Sequence, residues 1–245
     1  MRFRFPMLVL SATALAACSD DDPIAPVSQS ANVKIIHAIA GANGVDIGVA
    51  DARPLTAVNF TAVAPAAAAT YLALPAATPL RLRVFLGAAT VIDSTTNLTP
   101  NGNFTVFASG AATGTGATAP KFILLQDNVT APAAGSIRLR AVHAAASVGN
   151  VDIHAAAVGA TFSATTRVFT AVAFRGAGTV EVPAGNYQLC VIGAGVTPTA
   201  NGSTCAILRN TGAVAAGTVA TAFARDANAP SETAPQLQLT VDRNP

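Results

Sequence analysis

The chain repeats itself, so whatever it folds into must be built twice. Val33-Lys34-Ile35-Ile36-His37-Ala38 is echoed by Leu139-Arg140-Ala141-Val142-His143-Ala144. Nine positions after each histidine stands the aspartate of Val45-Asp46-Ile47 or of Val151-Asp152-Ile153. Leu74-Pro75-Ala76 answers Val182-Pro183-Ala184, and Val106-Phe107-Ala108 answers Ala222-Phe223-Ala224. The seven-residue step from Pro120 to Asp127 recurs from Pro235 to Asp242. These correspondences imply two tandem domains, 33–129 and 136–243, joined near Thr130 to Gly135. Each holds about 100 residues, enough for a core of its own.

Inside each copy, short β-branched or alternating segments are separated by Gly, Pro, Asn and Thr turns. Arg81-Leu82-Arg83-Val84-Phe85 and Tyr187-Gln188-Leu189-Cys190-Val191 have the two-residue period of a half-buried sheet. The pattern predicts strands near 33–37, 45–49, 55–60, 70–74, 80–86, 90–97, 104–108 and 121–126. In the second copy it predicts 137–143, 151–156, 166–174, 179–182, 187–192, 204–208, 218–224 and 236–241. The alanine run Ala64 to Ala69 is too short and too close to proline to stand as a helix. The expected fold is all-β: two tandem immunoglobulin-like antiparallel β-sandwich domains.

This succession of His-Ala, Val-Asp-Ile, a Leu/Val-Pro-Ala turn, an alternating strand and a closing Phe-Ala strand resembles the bacterial family called domain of unknown function 4397. The resemblance covers nearly all of 33–242 in two copies. It implies an exported, often repeated protein with immunoglobulin-like sandwiches; the family has no assigned activity, so no catalytic residue carries over. Where the commoner pattern runs His-Ala-Ser-Pro-Asp-Ala-Pro, this chain has His37-Ala-Ile-Ala-Gly and His143-Ala-Ala-Ala-Ser.

Ahead of the repeats, Arg2 and Arg4, an apolar Pro6–Leu15 stretch and the lipobox Leu15, Ala16, Ala17, Cys18 follow the order of a bacterial lipoprotein signal. The expectation is a signal peptide over 1–17, a lipid on Cys18 and a flexible acidic tether over 18–32. A plain secretory signal is the alternative. The apolar stretch is far short of the roughly 20 residues of a membrane-spanning helix. By resemblance to enteric lipoproteins, Ser19 after the cysteine favours the outer membrane, which places the protein in the cell envelope, facing the periplasm or the surface. The aspartates 20–22 lack the spaced ligands of a calcium loop.

Cleavage before Cys18 also removes Arg2 and Arg4, which takes the formal charge from +2 to neutrality. With 11% charged residues and no basic run, the composition argues against nucleic-acid binding. In the 51% hydrophobic content alanine is the commonest residue, and it adds little burial per residue. The chain has no tryptophan and two tyrosines, Tyr71 and Tyr187, which leaves little for a sugar-stacking platform.

Cys190 and Cys205 fall on consecutive predicted strands in an oxidising compartment and are expected to form a disulfide. Closing a loop of about 15 residues is worth roughly 3 kcal/mol. His37 with Asp46 and His143 with Asp152 are the repeated polar pairs, and a His–Asp pair can orient a base. No nucleophile elbow or Ser-x-x-Lys motif accompanies them, so the expected role is a ring that bonds a neighbouring loop. Metal binding would need His37, His143 and His154 to converge from distant positions. Gly114 to Ala119 fits a dinucleotide fingerprint only formally, because Pro120 ends it, and it reads as a hairpin loop. Arg81 with Arg83 and Arg138 with Arg140 place paired cations on strand faces expected to be solvated.

The functional expectation is a non-enzymatic envelope lipoprotein without cofactor or metal, membrane-bound through Cys18. It presents two sandwich modules to an unidentified envelope protein or polymer. A glycan- or small-ligand-binding lipoprotein is the second reading, and an enzyme the third.

Overall fold

The computed structural model describes residues 29–67, 69–76, 78–228 and 232–245. The signal peptide, Leu15, Ala16, Ala17, Cys18 and the tether up to residue 28 lie outside the described residues. Among these residues no helix is long and apolar enough to cross a membrane.

The first half contains β1 (Ser30–Ala40), β2 (Val45–Val49), β3 (Ala52–Val58), β4 (Val63–Ala64), β5 (Leu72–Pro75), β6 (Leu80–Leu86), β7 (Ala89–Thr96), β8 (Asn103–Ala111) and β9 (Lys121–Gln126). The second half contains β10 (Ser136–His143), β11 (Val151–Ala157), β12 (Arg167–Val172), β13 (Ala177–Pro183), β14 (Gly185–Gly193), β15 (Ile207–Val214), β16 (Val219–Arg225) and β17 (Gln236–Arg243). They form four sheets. In the first half the orders are β4-β1-β8-β9, with β5 also on β1, and β3-β2-β6-β7. The second half repeats them as β13-β10-β16-β17 and β12-β11-β14-β15.

The fold is all-β, with a sandwich in each half, but the sheets are not wholly antiparallel. β1 pairs with β8, and β10 with β16, in parallel. Alternating side chains report which face is buried and carry no information about strand direction. Direction is set by the path of the chain, which leaves β1, crosses the opposite sheet and returns in β8; such a long crossover is what a parallel pair requires.

The sequence leaves the packing between the halves open, and the structure closes it. In β1, Val33, Ile35 and Ile39 belong to the first sandwich core, whereas Ile36 and Ala38 point the other way into a separate cluster with Phe107, Ile123, Val142, Ala144 and Phe223. The outer face of sheet β4-β1-β8-β9 therefore packs on the outer face of β13-β10-β16-β17. The result is a four-layer stack with one core inside each sandwich and a third between them. Burial on both faces explains why β1 and β8 read as nearly continuous apolar runs. Phe107 and Phe223, equivalent in the repeat, meet edge to face at 5.2 Å.

Two elements depart from the sequence pattern. The strand expected at 204–208 is β15, at Ile207–Val214, and Cys205 sits in the preceding turn, where its N–H bonds Gly202 O. β15 was hard to locate because it is an edge strand with a mostly exposed surface, held by backbone pairing to β14. The strand expected at 70–74 is β5, and a short β4 precedes it. Together they occupy the place of the single strand β13, on β1 instead of β10. Pro65, with no N–H to donate, stops β4. The loop at Gly114 holds a 3-10 turn over Gly116–Thr118, and a Cβ on Gly114 would come within 2.4 Å of Thr118 O.

Candidate functional site

The repeated histidines serve the loops beside them. His37, in the second half of β1, has Nε2 2.9 Å from Ala42 O and accepts the Ile39 N–H on Nδ1 at 3.3 Å. His143 repeats this, with Nε2 2.9 Å from Gly149 O and the Ala145 N–H on Nδ1 at 3.4 Å. Since Nδ1 accepts, Nε2 carries the proton and donates. Phe60 and Phe174 close edge to face on the two rings, at 5.8 and 6.1 Å. Burial pulls His37 below the ordinary histidine range, against the bond to Ala42, so the ring is neutral near pH 7.

The repeated aspartates have a different task. Asp46 accepts the Ala57 N–H at 2.9 Å and faces Arg53 at 3.5 Å. Asp152 accepts Ala171 N–H at 2.7 Å, Arg167 at 3.0 Å and Gly195 N–H at 3.0 Å. Ala57 and Ala171 have φ of 50° and 48°, where the register between neighbouring strands shifts, so each carboxylate pins a left-handed residue of a bulge. Burial raises the Asp152 pKa, but the two backbone donors and Arg167 outweigh it and hold the carboxyl below the usual carboxylate range. Within each half, histidine and aspartate bond different partners and form no dyad. Arg53, Arg167, Phe60 and Phe174 complete these clusters; the seven-residue step from Arg53 to Phe60, repeated from Arg167 to Phe174, was the available signal.

Among the described residues no group of three His, Cys, Asp or Glu side chains converges as a metal site. His154 lies on β11, away from the two repeated rings. Tyr71 donates to Asp127 at 2.9 Å, and Tyr187 donates to Pro183 O at 2.7 Å. Cys190 and Cys205 are joined, with Cα atoms 5.4 Å apart.

The richest polar cluster lies between the halves. Lys34, fully buried, donates to Asp242 Oδ1 and to Val241 O, each at 2.9 Å. Its repeat equivalent Arg140 pairs with Asp127, the equivalent of Asp242. Each half thus supplies one cation to the other half's terminal aspartate, a reciprocal arrangement about an approximate twofold. Thr105 donates to Asp127 at 2.8 Å and its equivalent Thr221 donates to Asp242, while Arg140 bonds both hydroxyl oxygens. A polar cavity of about 60 Å³ lined by Asp127, Arg138, Arg140 and Asp242 opens beside the cluster. The expectation of a solvated Arg138–Arg140 face fails here. Arg138 pairs with Glu181, whereas Arg140 is buried because a second sheet covers its strand. On the other predicted pair, Arg81 bonds Asp93 at a largely exposed site, while Arg83 is half-buried and donates to Ala50 O.

A family model described as "Domain of unknown function (DUF4397)" matches residues 31–154, from β1 through the first residues of β11. No curated protein matches the sequence. Among solved structures, the Bacillus anthracis TIE protein is similar at 10% identity and a TM-score of 0.23, over 85% of this chain and 34% of that one. The chain thus spans about a third of that protein's length. With just over half of its residues matched by the family model, the chain belongs to the DUF4397 family.

Proposed function

We propose that this chain is a non-enzymatic lipoprotein of the bacterial cell envelope, anchored through Cys18, in which 136–243 is a second copy of the family domain and the paired sandwiches are presented to an envelope protein or polymer. One observation carries the reading: the polar residues that the repeat retains are all engaged in holding the scaffold. His37 and His143 bond loops, Asp46 and Asp152 pin bulges, and Asp127 and Asp242 join the halves. The equivalent strand orders of the two halves support the second copy. The lipobox at 15–18 and the acidic tether support the anchor.

The test is fractionation and acyl labelling of the full chain beside Cys18→Ser, with in vivo crosslinking from native membranes. Acyl label and membrane association lost together in the variant, and a defined crosslinked species in the wild type, are expected. Equal membrane association of the variant defeats the anchor, and capture of no partner defeats presentation.

A second reading, small-ligand binding, draws on a slot between the β7 and β9 edges. A cavity of about 130 Å³ there is lined by Leu82, Val106, Phe122 and Leu124 beneath Ser94, Thr95 and Thr96. Protection of the β7 and β9 amides by a small apolar probe would favour it.

A further inference from the structure

The outer face of sheet β12-β11-β14-β15 carries a small apolar cluster of Ala156, Phe162, Cys190 and Ile192, with Cys205 packed against it. The segment 194–206 folds over this face. Gly195 N–H bonds Asp152, and the disulfide ties Cys205 to β14. In the first half the equivalent connection, from β6 to β7, is only Gly87 and Ala88. There Gly48 and Arg83 form the cross-strand pair that His154 and Cys190 form in the second half.

His154 stands beneath the cover, 1% exposed and directly opposite Cys190. Side chains so paired project to the same face, with Cβ atoms about 4.5–5.5 Å apart. Nδ1 lies 3.2 Å from Ser163 O and 3.1 Å from Thr166 Oγ1. The Thr166 hydroxyl already donates to Ser163 O at 2.8 Å, so both neighbours of Nδ1 act as acceptors and Nδ1 holds the ring proton. Nε2 is then a bare lone pair, buried and without a hydrogen-bond partner among the described residues.

We propose that Cys190–Cys205 is a redox-operated latch on the 194–206 segment and that His154 Nε2 is the base that holds Cys190 as a thiolate once the latch opens. The reductant is an exogenous dithiol. One of its thiolates attacks Sγ of Cys205, the more exposed sulfur, and the Cys190–Cys205 bond breaks with its electron pair on Cys190. The second thiolate resolves the mixed disulfide and releases Cys205. The dithiol loses two electrons and two protons; the protein gains both electrons, with one proton on His154 Nε2 and one on Cys205.

The charged groups around the ring are few. Asp152, two residues earlier on β11, favours the imidazolium, and Arg167 of β12 opposes it. β14 contributes Cys190, and the segments 158–166 and 194–206 contain no titratable side chain other than Cys205. While the bond is closed, burial holds the ring neutral and its lone pair free.

The test uses the full chain equilibrated with dithiothreitol and pulsed with iodoacetamide from pH 5 to 10, the Cys190 and Cys205 peptides being quantified separately. Alkylation of Cys190 is expected to titrate below about 7.5, and that of Cys205 near the free-thiol value of about 8.5. His154→Asn can keep the donation to Ser163 O but has no base. It should return Cys190 to about 8.5 and slow its alkylation at pH 7 about tenfold or more. Reduction should raise amide exchange within 194–206 and leave β10, β11, β14 and β16 protected. A wild-type Cys190 titrating at 8.5 or above overturns the proposal, whether or not the variant folds. So do identical profiles in the two proteins, or loss of protection throughout the sandwich.

Discussion

Asp242→Ala should be among the most damaging single substitutions in the chain, because it strands a buried cation. Lys34 has no exposed side-chain surface, and its ammonium is held by Asp242 and Val241 O, beside the face of Tyr71 at 5.0 Å. Removing one partner of a buried pair costs about 3–5 kcal/mol, most of it from the uncompensated charge left behind. Lys34→Met is the milder change. Asp242 keeps the Thr221 hydroxyl and the Arg140 guanidinium at 3.5 Å, so a loss of about 1–3 kcal/mol is expected. The double variant Lys34→Met/Asp242→Ala should therefore cost less than the sum of the two, by about 1–3 kcal/mol, since the methionine leaves no charge to strand. Urea unfolding monitored by tyrosine near-ultraviolet dichroism reads this directly: Tyr71 reports on the junction and Tyr187 on the second sandwich. If Asp242→Ala costs under about 1 kcal/mol and the cycle is additive, the pair behaves as a solvated surface bridge and the reciprocal junction is not what holds the halves together.

Other consequences follow from the same geometry. Phe107→Ala, which removes half of the Phe107–Phe223 contact, should cost about 3–5 kcal/mol, with the Tyr71 and Tyr187 signals separating into two transitions; a single coincident transition at unchanged midpoint would contradict this. His37 has a folded pKa below its unfolded value of 6.5, so the unfolded chain binds the extra proton first. Its contribution to stability is complete above about pH 6.5 and falls as pH drops through that value toward the folded pKa, and His37→Gln should flatten that part of the pH–stability curve measured in urea. Asp152→Ala should destabilise more than Asp46→Ala, by about 2 kcal/mol in thermal or urea melts, because Asp152 is fully buried with three donors whereas Asp46 is partly exposed with two. Equal losses would mean that the third donor and the burial contribute nothing.

Much of the architecture was legible from the chain. Period-two alternation located most strands because each sandwich buries one face of strands such as β2 and β6, while Asp46, Arg81 and Arg83 stand on the other. It failed at β15, whose edge position leaves no apolar face to read, and at β4, where two residues carry no period. The repeat pointed to His37, Asp46, His143 and Asp152 without indicating their partners. Those partners, Ala42 O, Gly149 O and the amides of Ala57 and Ala171, are backbone atoms, and side-chain identity says little about them. Arg140 looked like a solvated strand cation, because a charge at an outward position has the same appearance whether water or another sheet lies beyond it.

By itself the amino-acid sequence determined the all-β class and showed that its motifs recur, since alternation, turn residues and repeated motifs are local properties that survive without knowledge of neighbours. Only the tertiary structure decided that the two units pack back to back as four layers, that their first and penultimate strands run parallel, and that equivalent cations and aspartates exchange partners across the junction. Those outcomes depend on which distant surfaces meet, and the hydrophobic effect that brings them together is non-directional. Partner choice is set instead by the geometry of Phe107, Phe223 and the two charge pairs once the sheets are in contact.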